Sequence, residues 1–230
     1  MTNGGFNGVR MAQNHFRRPA FYVSRLKLFN IFSLSGFFKS LSPQDIENFH
    51  PGIFDDLTWH FSLISLLLIL LNTIGFIRRI LLKTFPNFAS SYFIALNAEH
   101  GVVGIAFLSS LSVNIDSGNI KGILGIALSP GVRGIGLSNA LIGAIIGEAM
   151  DMELAEIVLT VMNGNLPARK LYQKWGFVEV SEEIDYWRGM KLPSTRMILN
   201  LKDSTLRQHI SELKKKAIER IPSIRITEEQ

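Results

Sequence analysis

The fold of this protein is decided by two short stretches of its sequence, residues 129–138 (SPGVRGIGLS) and residues 165–177 (NLPARKLYQKWGF). The first stretch follows a strand-like run at 122–128 and precedes a run whose apolar residues recur at helical spacing. A glycine-rich turn that opens a helix presents free backbone N–H groups and the positive end of the helix dipole. This order of strand, turn and helix therefore predicts a site for a phosphate or pyrophosphate group.

Two common nucleotide-binding motifs do not fit the glycine-rich turn. The dinucleotide fingerprint requires a third glycine at the position where this chain has Asn139. The phosphate-loop motif requires Gly-Lys-Ser or Gly-Lys-Thr, which the stretch does not contain. Both of these interpretations are therefore excluded for the turn.

Taken together, the two stretches resemble the GNAT superfamily of N-acetyltransferases. Residues 133–138 (RGIGLS) fit its pyrophosphate-binding motif Gln/Arg-x-x-Gly-x-Gly/Ala, with the small residue Ser138 in place of the final glycine or alanine. Residues 165–177 fit its signature Asn-x-x-Ala-x-x-Leu-Tyr-x-x-x-Gly-Phe in full. The resemblance covers about residues 21–201 and is specific over 122–177. It implies an α/β (α+β) fold, the acyl-CoA N-acyltransferase fold, with a mixed, mostly antiparallel, six- to seven-stranded sheet and helices on both faces.

The resemblance also assigns roles to particular residues, with acetyl-CoA as the co-substrate and no metal ion. In the family, backbone groups of the strand before the turn hold the pantetheine arm and polarise the thioester carbonyl, which maps here to Ile126 and Leu128. The amides of residues 133–138 are expected to bind the pyrophosphate, Asn165 to hydrogen-bond the pantetheine arm, and Tyr172 to protonate the departing thiolate as a general acid. The expected catalytic residues are therefore Tyr172 and Leu128. The expected cofactor-binding residues are Ile126, Leu128, Arg133, Gly134, Ile135, Gly136, Leu137, Ser138, Asn165 and Tyr172.

Each of these roles has a purely structural alternative. Tyr172 falls at helical spacing with Ala168, Leu171 and Trp175, so its ring could serve only as a core aromatic with a satisfied hydroxyl. Asn165 could act as a helix N-cap, a role that is compatible with cofactor binding. The glycines could serve only a tight turn, although their position at a helix start favours an anion site.

The activity that the resemblance implies is transfer of an acetyl group from acetyl-CoA to a primary amine, with a small-molecule or peptide amine as acceptor. The sequence contains no cysteine, so direct attack without a thioester intermediate on the enzyme is expected. The sequence names no general base, because Thr160 stands where some members carry a glutamate, and Glu148 and Glu153 are expected to be solvated. The competing hypothesis is a non-catalytic acyl-CoA-binding module that acts through a membrane or partner surface.

Acceptor sites of the family are walled by the region between the first two helices and by the loop that joins the last two strands. The acidic, histidine and tyrosine side chains of those regions here are His50, Asp55, Asp56, His60, Glu182, Glu183, Asp185 and Tyr186. An acidic rim suits a cationic amine, and ordinary surface charge explains these residues equally well.

The composition is typical of a single globular domain with an appended tail. The chain has 230 residues, of which 47% are apolar and 19% charged, and this balance excludes intrinsic disorder. Its net charge of +5 is modest and lacks an aromatic pattern beside it, so no nucleic-acid partner is expected. The first twenty residues lack the apolar central run of a secretory signal peptide, which favours a location in the cytoplasm or on the cytoplasmic face of a membrane. The predicted divisions are a flexible leader at 1–20, the acetyltransferase domain at 21–202 and a C-terminal helical tail at 203–230.

One apolar segment, predicted to be helical over 57–85, exceeds what the core needs. Its centre runs from Trp59 to Ile77 without a formal charge, and Arg78 and Arg79 follow it. A single membrane span is excluded by the expected fold, because the strands before and after the segment pair in one sheet. Two alternatives stay open: a helix that lies at a membrane surface, and a helix buried against the core or against a second subunit in a homodimer.

Overall fold

The computed structural model describes residues 21–27, 30–48, 74, 77, 80, 90–113, 119–187, 190–219 and 224–226. The predicted leader at 1–20 lies outside these residues, and so does the apolar segment apart from Ile74, Ile77 and Ile80. The rim residues His50, Asp55, Asp56 and His60 also lie outside them. The domain divisions drawn from the sequence therefore stay predictions.

The strands of the described residues form one mixed sheet. They are β1 (Phe21–Arg25), β2 (Ser91–Asn97), β3 (Val102–Val113), β4 (Ile120–Leu128), β5 (Glu156–Met162), β6 (Val178–Trp187), β7 (Met190–Asn200) and β8 (Ile224–Ile226). Their order across the sheet is β6-β7-β5-β4-β3-β2-β1-β8. Neighbours pair antiparallel, except that β4 with β5 and β1 with β8 are parallel pairs. The predicted fold class is confirmed, and the sheet gains one short strand, β8, from the tail that was predicted to be helical.

Helices cover both faces of the sheet. They are α1 (Ile31–Lys39), α2 (Pro43–Asn48), α3 (Leu137–Asp151), α4 (Leu166–Lys174) and α5 (Ser204–Glu219). On one face, Leu34 and Phe37 of α1 join a core cluster with Phe107 of β3. On the other face, α3, α4 and α5 contribute to the larger core, in which Trp175 is fully buried. The sheet is thereby held between two layers of helices.

The divergence of β4 and β5 is the feature of the sheet that positions the site. The two strands pair only over residues 121–123 of β4 and 156–158 of β5. Beyond that point β4 stays paired with β3 as far as Leu128, and β5 stays paired with β7 as far as Met162. The facing edges of β4 and β5 are therefore unpaired over the rest of their length, and a cleft opens between them.

Strand β6 extends further than the sequence indicated. The residues that were expected in a loop between the last strands, 182–186, lie within β6. They form strand because the antiparallel ladder between β6 and β7 continues from Val178 to the tip of the hairpin at Trp187 and Met190. The side chains of Ile184 and Tyr186 are largely exposed on this hairpin.

Glu148 is buried, which contradicts its predicted place at the surface. It is 2% exposed, because it lies on the face of α3 that packs on the sheet. Its carboxylate accepts a hydrogen bond from the Ser91 hydroxyl at 2.9 Å and forms an ion pair with the Arg25 guanidinium. The Arg25 guanidinium also lies over the Phe93 ring, 5.0 Å from its centre. The pair therefore connects helix α3 to strands β1 and β2.

Replacing Glu148 by alanine should lower the free energy of unfolding by about 3 kcal/mol, because it removes the shared partner of Arg25 and Ser91 from a buried position. Denaturant unfolding followed by circular dichroism measures this change. The control is Glu212→Ala, which removes an exposed pair with Lys216 and should cost no more than roughly 0.5 kcal/mol. Equal losses in the two variants would contradict a special role for the buried pair.

Candidate functional site

A pocket of about 640 Å³ occupies the cleft between β4 and β5. Its wall includes eight of the residues that the resemblance assigns to the cofactor, namely Ile126, Leu128, Arg133, Gly134, Gly136, Ser138, Asn165 and Tyr172. Ile135 and Leu137 do not line it, since the Ile135 side chain is exposed and Leu137 is fully buried in the core. Only the backbone amides of these two residues were expected to act, so the positions of their side chains do not conflict with that role.

The pairing of β3 with β4 sets the direction of the backbone groups in the cleft. The Ser129 N–H donates to the Val103 carbonyl at 2.9 Å, and Leu128 lies opposite Gly104. Antiparallel partners alternate between hydrogen-bonded and non-hydrogen-bonded pairs. The backbone groups of Ile126 and Leu128 therefore point away from β3 and into the cleft.

The turn after β4 has a backbone conformation that favours glycine. Gly134 has a φ of 77° and Gly136 a φ of 93°, both in the left-handed region. Gly136 is the N-cap of α3, and its carbonyl accepts a hydrogen bond from the Asn139 N–H at 2.9 Å. A Cβ atom at Gly134 would meet no heavy atom within 4 Å. The turn thus leaves open space at the start of α3, where free N–H groups attract an anion.

The side chain of Arg133 turns back onto the end of β4. Its Nε and Nη2 atoms donate to the Leu128 carbonyl at 3.2 Å and 3.0 Å. Its Nη2 also forms an ion pair with Oδ1 of Asp45 at 2.7 Å. Because the Leu128 carbonyl already accepts these bonds, the Leu128 N–H is the backbone group of this residue that remains for a ligand in the cleft.

Asp45 lines the pocket, a position that the sequence pattern did not indicate. The N–H and hydroxyl of Ser42 donate to its Oδ2 at 3.0 Å and 2.8 Å, and the Asp45 N–H donates to the Ser42 hydroxyl at 3.2 Å, which forms a capping box at the start of α2. Desolvation raises the pKa of Asp45, but the Ser42 hydrogen bonds and the Arg133 guanidinium outweigh it and hold the pKa below its usual value. A carboxyl group with a lowered pKa stays ionised at neutral pH and is a weak base.

Helix α4 brings Asn165 and Tyr172 to the pocket. Asn165 is its N-cap, and Oδ1 of Asn165 accepts a hydrogen bond from the Ala168 N–H at 3.3 Å. The structural role considered for Asn165 is therefore present, and it uses the side-chain oxygen rather than the nitrogen. Tyr172 is 7% exposed and its ring centre lies 5.7 Å from that of Phe177. Burial raises the pKa of the Tyr172 hydroxyl well above its usual value, so this group keeps its proton into the alkaline range.

Asn139 holds the two helices of the site together. Its Oδ1 accepts hydrogen bonds from Nε1 of Trp175 at 3.2 Å and from Nζ of Lys174 at 3.0 Å. These bonds join the first turn of α3 to the end of α4. Asn139, whose presence excluded the dinucleotide fingerprint, therefore has a structural role beside the glycine turn. In the sequence it was noted only because it stands where that fingerprint requires glycine.

The carboxylates considered as general bases lie away from the pocket wall. Glu148 is buried between α3 and the sheet, and Glu153 is exposed after the end of α3. The acidic residues of β6, at 182, 183 and 185, do not line the pocket. Thr160 does line it, but a neutral hydroxyl is a poor base. Among the described residues, Asp45 is the carboxylate in the wall, and its ion pair makes it a poor base.

The described residues contain no group of three or more histidine, cysteine, aspartate or glutamate side chains placed to hold a metal ion. Across the same part of the chain, no helix combines the length and the apolar character that crossing a membrane requires.

The fold is similar to solved structures of acetyltransferases. The ribosomal-protein-S5-alanine acetyltransferase of Vibrio fischeri has a TM-score of 0.62 at 16% identity, over 82% of this chain and 97% of that chain. The spermidine N-acetyltransferase of Vibrio cholerae, solved with CoA and spermine, has a TM-score of 0.54 at 18% identity, over 80% and 96%. A GNAT-family acetyltransferase from Streptococcus pneumoniae has a TM-score of 0.57 at 19% identity, over 79% and 99%. At these identities the likeness establishes the fold.

No curated protein matches the chain in sequence. The model of the acetyltransferase (GNAT) family does match it, over residues 68–177. The matched span contains the diverging strands β4 and β5, the glycine turn and helix α4, and both stretches that first suggested the resemblance. Residues 68–177 of this chain therefore match the acetyltransferase (GNAT) family, as the two stretches led us to expect.

Proposed function

We propose that this protein transfers an acetyl group from acetyl-CoA to a primary amine by direct attack, without an acetyl group bound to the enzyme. The observation that carries the proposal is the convergence of three groups on one pocket. These are the backbone of β4 that faces the cleft, the glycine turn at the start of α3, and the side chain of Tyr172. Each group matches one part of the acyl thioester of coenzyme A.

The lining of the pocket suits the chemical groups of acetyl-CoA. Its apolar wall and the backbone groups of Ile126 and Leu128 suit the pantetheine arm, whose amides exchange hydrogen bonds with an extended strand. The open glycine turn and the first amides of α3 suit the pyrophosphate. Asn165 stands at the start of α4, where its side-chain nitrogen can bond the arm while its oxygen caps the helix.

The chemistry divides between a backbone donor and a side-chain acid. The amine nitrogen forms a bond to the acetyl carbon while the carbon–sulfur bond breaks. The Leu128 N–H stabilises the negative charge that develops on the carbonyl oxygen, and a donor of this kind contributes on the order of 3 kcal/mol to acyl transfer. Tyr172 gives its proton to the departing thiolate and recovers one from solvent. Water in the pocket carries away the proton of the acceptor amine.

The acceptor that we propose is the primary amine of a small molecule or a peptide. The Vibrio cholerae neighbour was solved with the polyamine spermine, which shows that this fold accepts a cationic amine in that protein. In this chain the pocket wall within the described residues combines apolar side chains with Asp45, which is already paired with Arg133. One amine group on an otherwise uncharged body therefore fits the described wall better than a polyamine.

We also propose that the apolar segment meets a membrane surface. The run from Trp59 to Ile77 is uncharged and two arginines follow it. Ile74 and Ile80, two described residues of the segment, are 49% and 46% exposed. Exposed apolar side chains next to cations are typical of a segment that contacts anionic lipid.

Tyr172→Phe should lower kcat for thiol release from acetyl-CoA about 100-fold, because the variant lacks the general acid. Its affinity for coenzyme A should change less than about threefold, since the ring still fills the same space. Because burial raises the pKa of Tyr172, wild-type turnover should show no loss attributable to tyrosine ionisation at pH 10, the usual tyrosine pKa. Thiol release from acetyl-CoA over an amine library measures both effects.

The control for this variant is Tyr22→Phe, which removes a hydroxyl from a tyrosine of β1 that does not line the pocket and should leave turnover unchanged. Wild-type turnover in Tyr172→Phe at every pH would show that the general-acid role is wrong. A wild-type protein that binds coenzyme A but acetylates no amine would instead favour the non-catalytic binding module.

Gly134→Ala should weaken coenzyme A binding about tenfold, because alanine disfavours the φ of 77° by roughly 1 kcal/mol or more and the turn must reshape. Gly131→Ala is the matched control, since its added Cβ also meets no atom within 4 Å and its φ lies outside the left-handed region. Titration calorimetry with coenzyme A measures both variants. Equal affinities would argue against the glycine turn as the pyrophosphate site.

Flotation with anionic liposomes at low salt tests the membrane proposal. The wild-type protein should float with the vesicles, and the double variant Arg78→Gln, Arg79→Gln should float less, because it lacks two cations beside the apolar run. Binding should also weaken as salt screens these charges. Two results would refute contact with lipid. One is protein that stays wholly in the soluble fraction, and the other is a dimer, detected by light scattering, whose formation depends on Trp59.

A further inference from the structure

Asp45 and Arg133 form a bridge between helix α2 and the end of strand β4. The Nη2–Oδ1 distance is 2.7 Å, and the same guanidinium donates two hydrogen bonds to the Leu128 carbonyl. The Asp45 side chain is only 12% exposed, whereas that of Arg133 is 47% exposed. Because one partner is shielded from water and held by Ser42, the Asp45–Arg133 bridge has a more fixed geometry than an ordinary surface ion pair.

The bridge fastens a helix that lies over the opening of the cleft. Ile46, the residue after Asp45, packs against the cluster that contains Phe107 of β3. It also packs against Met162 at the end of β5 and Leu192 of β7. Helix α2 therefore reaches from the β3 side of the cleft to the β5 side, and its N-terminal end is tied to β4 by the bridge.

The bridge also fixes which backbone groups the cleft offers. The Leu128 carbonyl points into the cleft, and it already accepts two hydrogen bonds from the Arg133 guanidinium. A pantetheine arm in the cleft must therefore donate its hydrogen bond to another carbonyl of β4, that of Ile126. From Leu128 it can accept a hydrogen bond from the N–H group. These two hydrogen bonds fix the position of the pantetheine arm along β4, and the position of the arm in turn determines where the thioester carbonyl lies.

Two simpler roles fit the bridge less well. Asp45 is a poor general base, because its pKa is lowered by its hydrogen bonds and its cation. The Arg133 side chain is a poor phosphate ligand, because its guanidinium is directed to Leu128 and Asp45. The bridge is thus placed to act on the pantetheine arm rather than on the proton or the phosphate.

We propose that Asp45 is a positioning residue that, through Arg133, holds the end of β4 and helix α2 in the arrangement that grips the pantetheine arm. This inference rests on the proposed function, since it presupposes that coenzyme A binds in the cleft. The bridge adds nothing to binding of the nucleotide half, which contacts the glycine turn through its phosphates.

The test compares two probes, coenzyme A and 3′-phospho-ADP, which is the nucleotide half of the cofactor without its arm. Asp45→Asn should weaken coenzyme A binding about tenfold and leave 3′-phospho-ADP within twofold of the wild type. Arg133→Gln should show the same split, and the double variant should be no weaker than either single variant, because both lose one bridge. Asp45→Glu keeps the charge and should recover part of the affinity.

Glu179→Gln is the matched control, because it removes an ion pair of 2.8 Å with Arg169 that does not line the pocket. It should bind both probes as the wild type does. Equal weakening of both probes in Asp45→Asn would indicate a general structural loss, and multiplicative losses in the double variant would show that the residues act separately. Either result, or unchanged coenzyme A binding, overturns the proposal; a wild-type protein that does not bind coenzyme A overturns the proposed function with it.

Discussion

The unpaired edges of β4 and β5 are the constraint on which the rest of the site depends. A sheet normally satisfies the N–H and C=O groups of an inner strand on both sides, and an unsatisfied buried group costs about 1–3 kcal/mol. Here the ladder between these strands ends after residue 123 of β4. The protein therefore keeps hydrogen-bonding groups in place for an extended ligand, and the Arg133 guanidinium already satisfies one of them.

The cleft stays open because each strand is fastened on its outer side. β4 stays paired with β3 on both sides of an irregularity between Ser109 and Ser112, and β5 is paired with β7 over its whole length. On one face α3 and α4 are joined through Asn139, and on the other face α2 lies over the opening. The geometry of the cleft is thus determined by strand pairing and helix packing around it, and these interactions keep the backbone donors of the cleft in fixed positions.

Local patterns predicted the parts of the site that depend on local interactions. The glycine turn and the signature that ends in Phe177 each follow from residues a few positions apart. Glu148 is buried because it lies in the apolar stripe of α3, whereas its charge led us to expect an exposed side chain. Its partner Arg25 is 123 residues away, so no local pattern could show that the charge is paired. The bridge between Asp45 and Arg133 was missed for the same reason.

The parallel pairing of β8 with β1 has a consequence for the whole sheet. Ile224 lies opposite Phe21, so the strand that follows α5 covers the backbone edge of the first described strand. A free edge of this kind is where sheets of separate molecules join and aggregate. Strand β8 therefore covers the edge of β1, and shortening the chain before β8 would expose that edge for pairing with another molecule, far from the cleft between β4 and β5.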